Sequence, residues 1–126
     1  MAKILVIDDD SSILEYFRRL KDSFHGELVF AQSGAEGCRL VQDQEIKVVI
    51  TDWILPGKLQ QLKLLCELKR LRPGLPIIVT SGYSSDDIID QCRQVGVTDF
   101  LTKPFELSFA TKIVDRLMLS GSGSSV

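Results

Sequence analysis

The apolar run Ile4 to Ile7 ends in three consecutive carboxylates, Asp8, Asp9 and Asp10. Like charges this close repel, and each disfavours ionisation of its neighbours. Another acid, Asp52, ends the run "VVIT", Thr80-Ser81 ends "IIV", and Lys103-Pro104 follows "FLT". Brought together, these positions would hold clustered carboxylates, a hydroxyl and one ammonium. A cation would relieve the repulsion. Mg²⁺ suits such a set, because it takes one or two protein carboxylates and keeps other positions for water and phosphate oxygens. An acidic pair alone is a weak signal, since most are solvated loops. What distinguishes this set is that each member follows an apolar run.

Those runs are the elements that must position the groups. Five of them, Ile4–Ile7, Leu28–Ala31, Val48–Thr51, Ile77–Thr80 and Asp99–Leu101, alternate with amphipathic segments. The first, third and fourth are nearly all aliphatic and β-branched, as strands buried on both faces are. The second and fifth are weaker, as expected nearer an edge. Ile13, Leu14, Phe17, Leu20 and Phe24 recur at helical spacing and predict one helix, capped by Ser11 or Ser12 and ended by His25-Gly26. Ser33 precedes a second helix, from Gly34 to about Gln42. Leu62, Leu65, Leu68 and Leu71 stripe a third, stopped by Pro73-Gly74. Ser84 or Ser85 starts a fourth, ended by Gly96. Leu107, Ala110, Val114 and Leu117 stripe a fifth. The segment 120–126, "SGSGSSV", reads as a flexible Gly/Ser-rich tail or linker, leaving 1–119 as the domain.

This (βα)₅ alternation predicts an α/β fold: a single doubly wound, flavodoxin-like domain. Its five-stranded parallel sheet runs in order 2-1-3-4-5, with helices on both faces. Ligands of such sheets bind outside the carboxyl ends of the strands, at the switch point. Asp8, Asp9, Asp52, Thr80, Ser81 and Lys103 all fall on that edge.

Composition narrows the function. The 126 residues suit one core. A net charge of −2 shows no basic excess, so no direct nucleic-acid contact is expected. The apolar runs are too short to span a membrane. Cys38, Cys66 and Cys92 are odd in number and without CxxC spacing, so reduced thiols and a cytoplasmic setting are expected.

In combination, "ILVIDDD", "VVITDWILPG", "IIVTSGY" and "FLTKPF" resemble a response-regulator receiver domain, the phosphoacceptor module of two-component signalling. The resemblance covers residues 2 to about 119. It implies a signalling module that catalyses only its own phosphorylation and dephosphorylation. Asp52 would accept a phosphoryl group from a histidine kinase or histidine phosphotransfer protein. Asp8, Asp9, Asp52 and the backbone carbonyl of Ile54 would hold Mg²⁺. Thr80, with Ser81 beside it, and Lys103 would contact the phosphoryl oxygens, and Lys103–Pro104 would be a cis peptide. Phe100 would be the switch aromatic that follows Thr80 inward. The surface of the fourth helix, fifth strand and fifth helix would then change, opening a homodimer or effector contact.

Other residues read more plainly. Asp10 suits a helix start or N-cap sooner than a ligand, His25 a helix cap, and Trp53 a half-buried neighbour of the site. Phe109 and Ile113, off the main stripe of the fifth helix, read as core before partner face. "PGKLQQLKLL" departs from the family pattern, lacking the usual Gly before the Leu-rich helix and carrying one extra residue. By the resemblance, the positions of Ile54 and Gly82 modulate loss of the phosphoryl group, and a bulky Ile54 with no side chain at Gly82 implies slow loss.

Three other functions compete. A haloacid-dehalogenase-like phosphatase would use Asp8-x-Asp10, but it needs an acidic pair after its Lys, and this chain has only the scattered Glu106 and Asp115. A nucleotide or flavin module would want a Gly-rich turn after the first strand. A receiver fold used without phosphorylation would not need the complete Asp, Thr and Lys set.

Overall fold

The computed structural model describes residues 2–123. Five parallel strands, β1 (Lys3–Ile7), β2 (Glu27–Ala31), β3 (Ile46–Asp52), β4 (Ile77–Ser81) and β5 (Asp99–Thr102), form one sheet in the order β2-β1-β3-β4-β5. Between and after them run α1 (Ser11–Arg19), α2 (Gly34–Leu40), α3 (Gln61–Leu71), α4 (Asp86–Gln94) and α5 (Leu107–Gly123). The two weaker runs are the edge strands, as expected.

Side chains alternate across each strand and fill two cores. Leu5, Ile7, Val49, Ile77 and Val79 pack with Val41, Leu64, Leu65, Leu68 and Cys92 from the α2, α3 and α4 side. Ile4, Val6, Val48, Ile50 and Ile78 pack with Leu14, Phe17, Ala110 and Val114 from α1 and α5. The central strands therefore carry no polar face, which is why their sequences are unbroken apolar runs.

Several boundaries differ from expectation. α1 stops at Arg19, and Lys21–Ser23 forms a separate 3-10 turn, so the predicted helix does not reach Phe24. Phe24 is extended yet buried, its ring centroid 5.9 Å from that of Phe17. The apolar spacing recorded a shared core, not a continuous helix. α2 ends at Leu40, two residues before Gln42. Asp10, not Ser11 or Ser12, caps α1, accepting the Ser12 N–H at 2.9 Å and the Ser12 hydroxyl at 2.6 Å. Ser85 caps α4. His25 is no cap: its Nδ1 lies 3.1 Å from Asp115 Oδ1 on α5. Helix α5 extends into the segment 120–126, of which 124–126 lie outside the described residues.

Two packing devices hold the sheet's ends. The Arg72 guanidinium donates to the carbonyls of Val41, Asp43 and Ile46, tying the end of α3 to the approach to β3. Near the carboxyl edge, Gly34 starts α2 so close to the β3–α3 loop that a Cβ there would lie 2.0 Å from the Leu59 carbonyl oxygen.

Candidate functional site

The strand ends converge as the sheet order requires. β1 pairs with β3, and β3 with β4, with Asp52 directly opposite Thr80 in the register. One carboxylate oxygen each from Asp8, Asp9 and Asp52 lies within 4.8 Å of the others. Asp8 is buried, Asp52 partly so, and Asp9 exposed. Asp10 stays out of the cluster, capping α1.

Lys103 reaches this cluster from beyond β5. Its Nζ donates to Asp8 Oδ2 at 2.8 Å and lies 3.4 Å from Asp52 Oδ2. The Lys103–Pro104 peptide is cis, as the resemblance implied. The other Asp8 oxygen accepts the backbone N–H of Asp10 at 2.9 Å, so β1 and the start of α1 are linked through this carboxylate.

Three carboxylates facing one ammonium leave the cluster negative. Burial, then the charge of Asp8, pushes the Asp52 carboxyl above its ordinary range, and Lys103 offsets only part of that. Burial would lower the Lys103 ammonium, but its hydrogen bond to Asp8 and the two carboxylate charges outweigh it and hold Lys103 above its ordinary value. A hard divalent cation answers this imbalance, and an all-oxygen donor set with open access from Asp9 suits it.

Thr80 is buried, and its hydroxyl has no hydrogen-bond partner among the described residues, leaving it uncommitted beside Asp52. Its carbonyl accepts the Trp53 N–H at 2.8 Å, which locks β3 to β4 next to Asp52. The Ser81 hydroxyl is committed: it donates to the Tyr83 carbonyl and accepts the Tyr83 N–H, organising the β4–α4 loop. Trp53 is more deeply placed than expected, a core residue 7% exposed. Phe100 is partly buried against the same core.

The loop after Asp52 holds what sequence reasoning did not see. Ile54 is 60% exposed, while Leu55 next to it is buried. Gln60 spans the loop: its Oε1 accepts the Leu55 N–H at 3.1 Å and its Nε2 donates to the Gly57 carbonyl at 3.2 Å. Gly57 is left-handed, at φ 86°. Gln61 takes φ 56° where α3 begins, a left-handed turn made by a residue with a Cβ. The one sequence signal was the departure from the family pattern at this place. Phe109, read as core, is instead 56% exposed on α5, whereas Ile113 is buried. The helix turns Phe109 outward, one residue before the fully buried Ala110.

The family model for the response regulator receiver domain matches residues 4–115. The transcriptional regulatory protein GlrR of Escherichia coli is 30% identical over 114 residues, 90% of this chain and 26% of that protein. The DNA-binding transcriptional regulator NtrC of the same species is 31% identical over 113 residues, 90% of this chain and 24% of the regulator. The chain thus spans about a quarter of the length of these relatives. Among solved structures, a response regulator receiver domain protein from Clostridium thermocellum is 31% identical with a TM-score of 0.88, covering 97% of this chain and 98% of that one.

Proposed function

This chain belongs to the response-regulator receiver family, and we propose that Asp52 is its phosphoacceptor, with Asp8, Asp9 and the Ile54 carbonyl completing a Mg²⁺ site and Lys103 and Thr80 receiving the phosphoryl group. The receiver domain is a phosphoacceptor signalling module. The observation that carries the assignment of roles is the convergence of Asp8, Asp9 and Asp52 within 4.8 Å beneath the Lys103 ammonium.

In the proposed step, an Asp52 carboxylate oxygen attacks the phosphorus of a phosphohistidine on a histidine kinase or phosphotransfer protein. An O–P bond forms as the N–P bond breaks, and the electron pair returns to the imidazole nitrogen. Little covalent chemistry is asked of the protein beyond positioning and charge neutralisation. When bound, Mg²⁺ supplies a hard positive charge facing the carboxylates and the phosphoryl oxygens. Lys103, already between Asp8 and Asp52, needs only a small shift to pair with the new oxygens. Thr80 has a free hydroxyl to donate, whereas Ser81 acts through the loop it organises. The module acts on its own phosphorylation state and not as a turnover enzyme. The phosphatase alternative is not favoured.

The added charge of about −1.5 to −2 biases two packings of the α4–β5–α5 face. Inward movement of Thr80 would let Phe100, half-buried against the α3/α4 core, follow it. Exposed Phe109 on α5 then belongs to the surface that changes, for a homodimer or effector contact. The setting is cytoplasmic, with 1–119 the receiver unit and 120–126 leading out of it. Among the described residues no helix is long and apolar enough to cross a membrane. Since NtrC as a whole is by name DNA-binding, the absence of direct nucleic-acid contact is proposed for this segment alone.

Incubation with a small phosphodonor and Mg²⁺, followed by mass spectrometry, tests the assignment. One added phosphoryl group is expected, lost in Asp52→Ala. No addition with metal present would overturn it.

A further inference from the structure

We infer that Gln60 is a positioning residue for the metal site, acting through the peptide bond between Ile54 and Leu55. This rests on the reading that the Ile54 carbonyl is a metal ligand. The Gln60 Oε1 accepts the Leu55 N–H at 3.1 Å. That N–H shares a planar unit with the Ile54 carbonyl, and the only cis peptide among the described residues lies elsewhere, at Lys103–Pro104. In a trans unit the N–H and C=O point in opposite directions. Fixing the Leu55 N–H therefore fixes the direction of the Ile54 oxygen, away from Gln60.

The side chain is held at both ends, since its Nε2 donates to the Gly57 carbonyl at 3.2 Å. Exchanging the amide's oxygen and nitrogen would set donor against donor and acceptor against acceptor, so the contacts define its orientation. Pro56, between the two contacts, has no N–H to compete. Gln60 is also the residue preceding α3, yet its side chain makes no capping bond to that helix. It is turned back onto the loop. An N–H engaged by an acceptor also polarises its peptide, placing more negative charge on the Ile54 oxygen. Outer partners of this kind typically alter metal affinity by about 10–100-fold.

Calorimetric Mg²⁺ titration of wild type, Gln60→Met, Gln60→Glu and Asp9→Asn tests this, in ~0.5 M salt so that an added surface charge is screened. Gln60→Met removes the acceptor, and about tenfold weaker Mg²⁺ binding is expected. Gln60→Glu keeps an acceptor for the Leu55 N–H, while its second oxygen must turn away from the exposed Gly57 carbonyl, so binding within about threefold of wild type is expected. Thermal melts without metal report the loop's structural role separately. A lower Tm with unchanged Mg²⁺ affinity in Gln60→Met would overturn the inference, as would tenfold weaker binding in Gln60→Glu, which also decides the matter should Gln60→Met not fold. A wild type that binds no Mg²⁺, or binds it equally in Asp9→Asn, would remove the metal-site reading itself and the inference with it.

Discussion

Lys103 Nζ stands 2.8 Å from Asp8 and 3.4 Å from Asp52, so the cation that follows the last strand is tied more closely to the end of the first strand than to that of the third. The pair joins opposite ends of the chain and is largely buried, Asp8 at 2% and Lys103 at 18% side-chain exposure.

Removing that cation leaves the buried Asp8 and partly buried Asp52 carboxylates without a counter-charge. Lys103→Met is expected to lose about 3 kcal/mol of stability in metal-free buffer, read by urea denaturation. Mg²⁺ should restore part of the loss, because the carboxylates regain a counter-charge. A variant as stable as wild type without metal would show that the pair carries no stability.

Asp52 sets a pH dependence of definite sign. Folding raises its pKa, so the native state holds this proton more tightly than the unfolded chain does. The resulting stabilisation is fully present below the unfolded value near 3.8 and is lost as pH rises through the native value. At pH 7 Asp52→Asn should therefore melt about 3 °C higher than metal-free wild type. The difference should vanish below about pH 4. An Asn variant that melts lower at pH 7 would contradict this.

Gly34 meets a hard steric limit. A Cβ 2.0 Å from the Leu59 carbonyl oxygen cannot be relieved by a side-chain rotation, because the obstacle is backbone. Gly34→Ala should cost about 3 kcal/mol. Gly74, with nothing within 4 Å of its added Cβ, should tolerate Ala with a change of about 0.5 kcal/mol or less. Chemical denaturation of the two variants side by side checks the contrast.

Gln61 offers the opposite case. At φ 56° a residue with a Cβ is strained, and glycine is not. Gln61→Gly should stabilise the protein by roughly 0.5–1 kcal/mol, the relief of about 1–2 kcal/mol being offset by greater freedom of the unfolded chain. A loss of about 0.4–1 kcal/mol, the entropic cost of the glycine alone, would show that the turn carries no strain from the Cβ.

Ile54 stands exposed two residues beyond Asp52. As an apolar neighbour it should shield an acyl phosphate from attacking water, and Ile54→Asn should shorten the phosphoryl half-life about tenfold, less than the roughly 10²–10⁴-fold of a positioned general acid or base, because an amide only orients the water. Phosphoryl loss followed by mass spectrometry decides it, and equal half-lives would dismiss the shield.

Much of the site was legible before any coordinate. The acids, Thr80 and Lys103 each follow an apolar run, and an alternating β/α order leaves only one edge of a parallel sheet for them to share. Other readings failed where local pattern and tertiary packing share a signal. Phe24 kept helical spacing with Phe17 because both enter one core, although the chain between them leaves the helix. Phe109 looked like core by composition, but only the rotation of α5 against the sheet decides which apolar residue faces out.

By itself the sequence determined the strand order, the two-faced core and the identity of the charged groups at the switch point. These follow from periodicity and from the position of each charge at the end of an apolar run, both properties of the chain alone. Tertiary structure decided the rest: that Lys103 pairs with Asp8 more closely than with Asp52, that Ser81 serves its loop, and that Gln60 grips Leu55 and Gly57. Each of those outcomes depends on distances between segments that meet only on folding. Hydrogen bonds reward differences of a few tenths of an ångström that no spacing along the chain can encode.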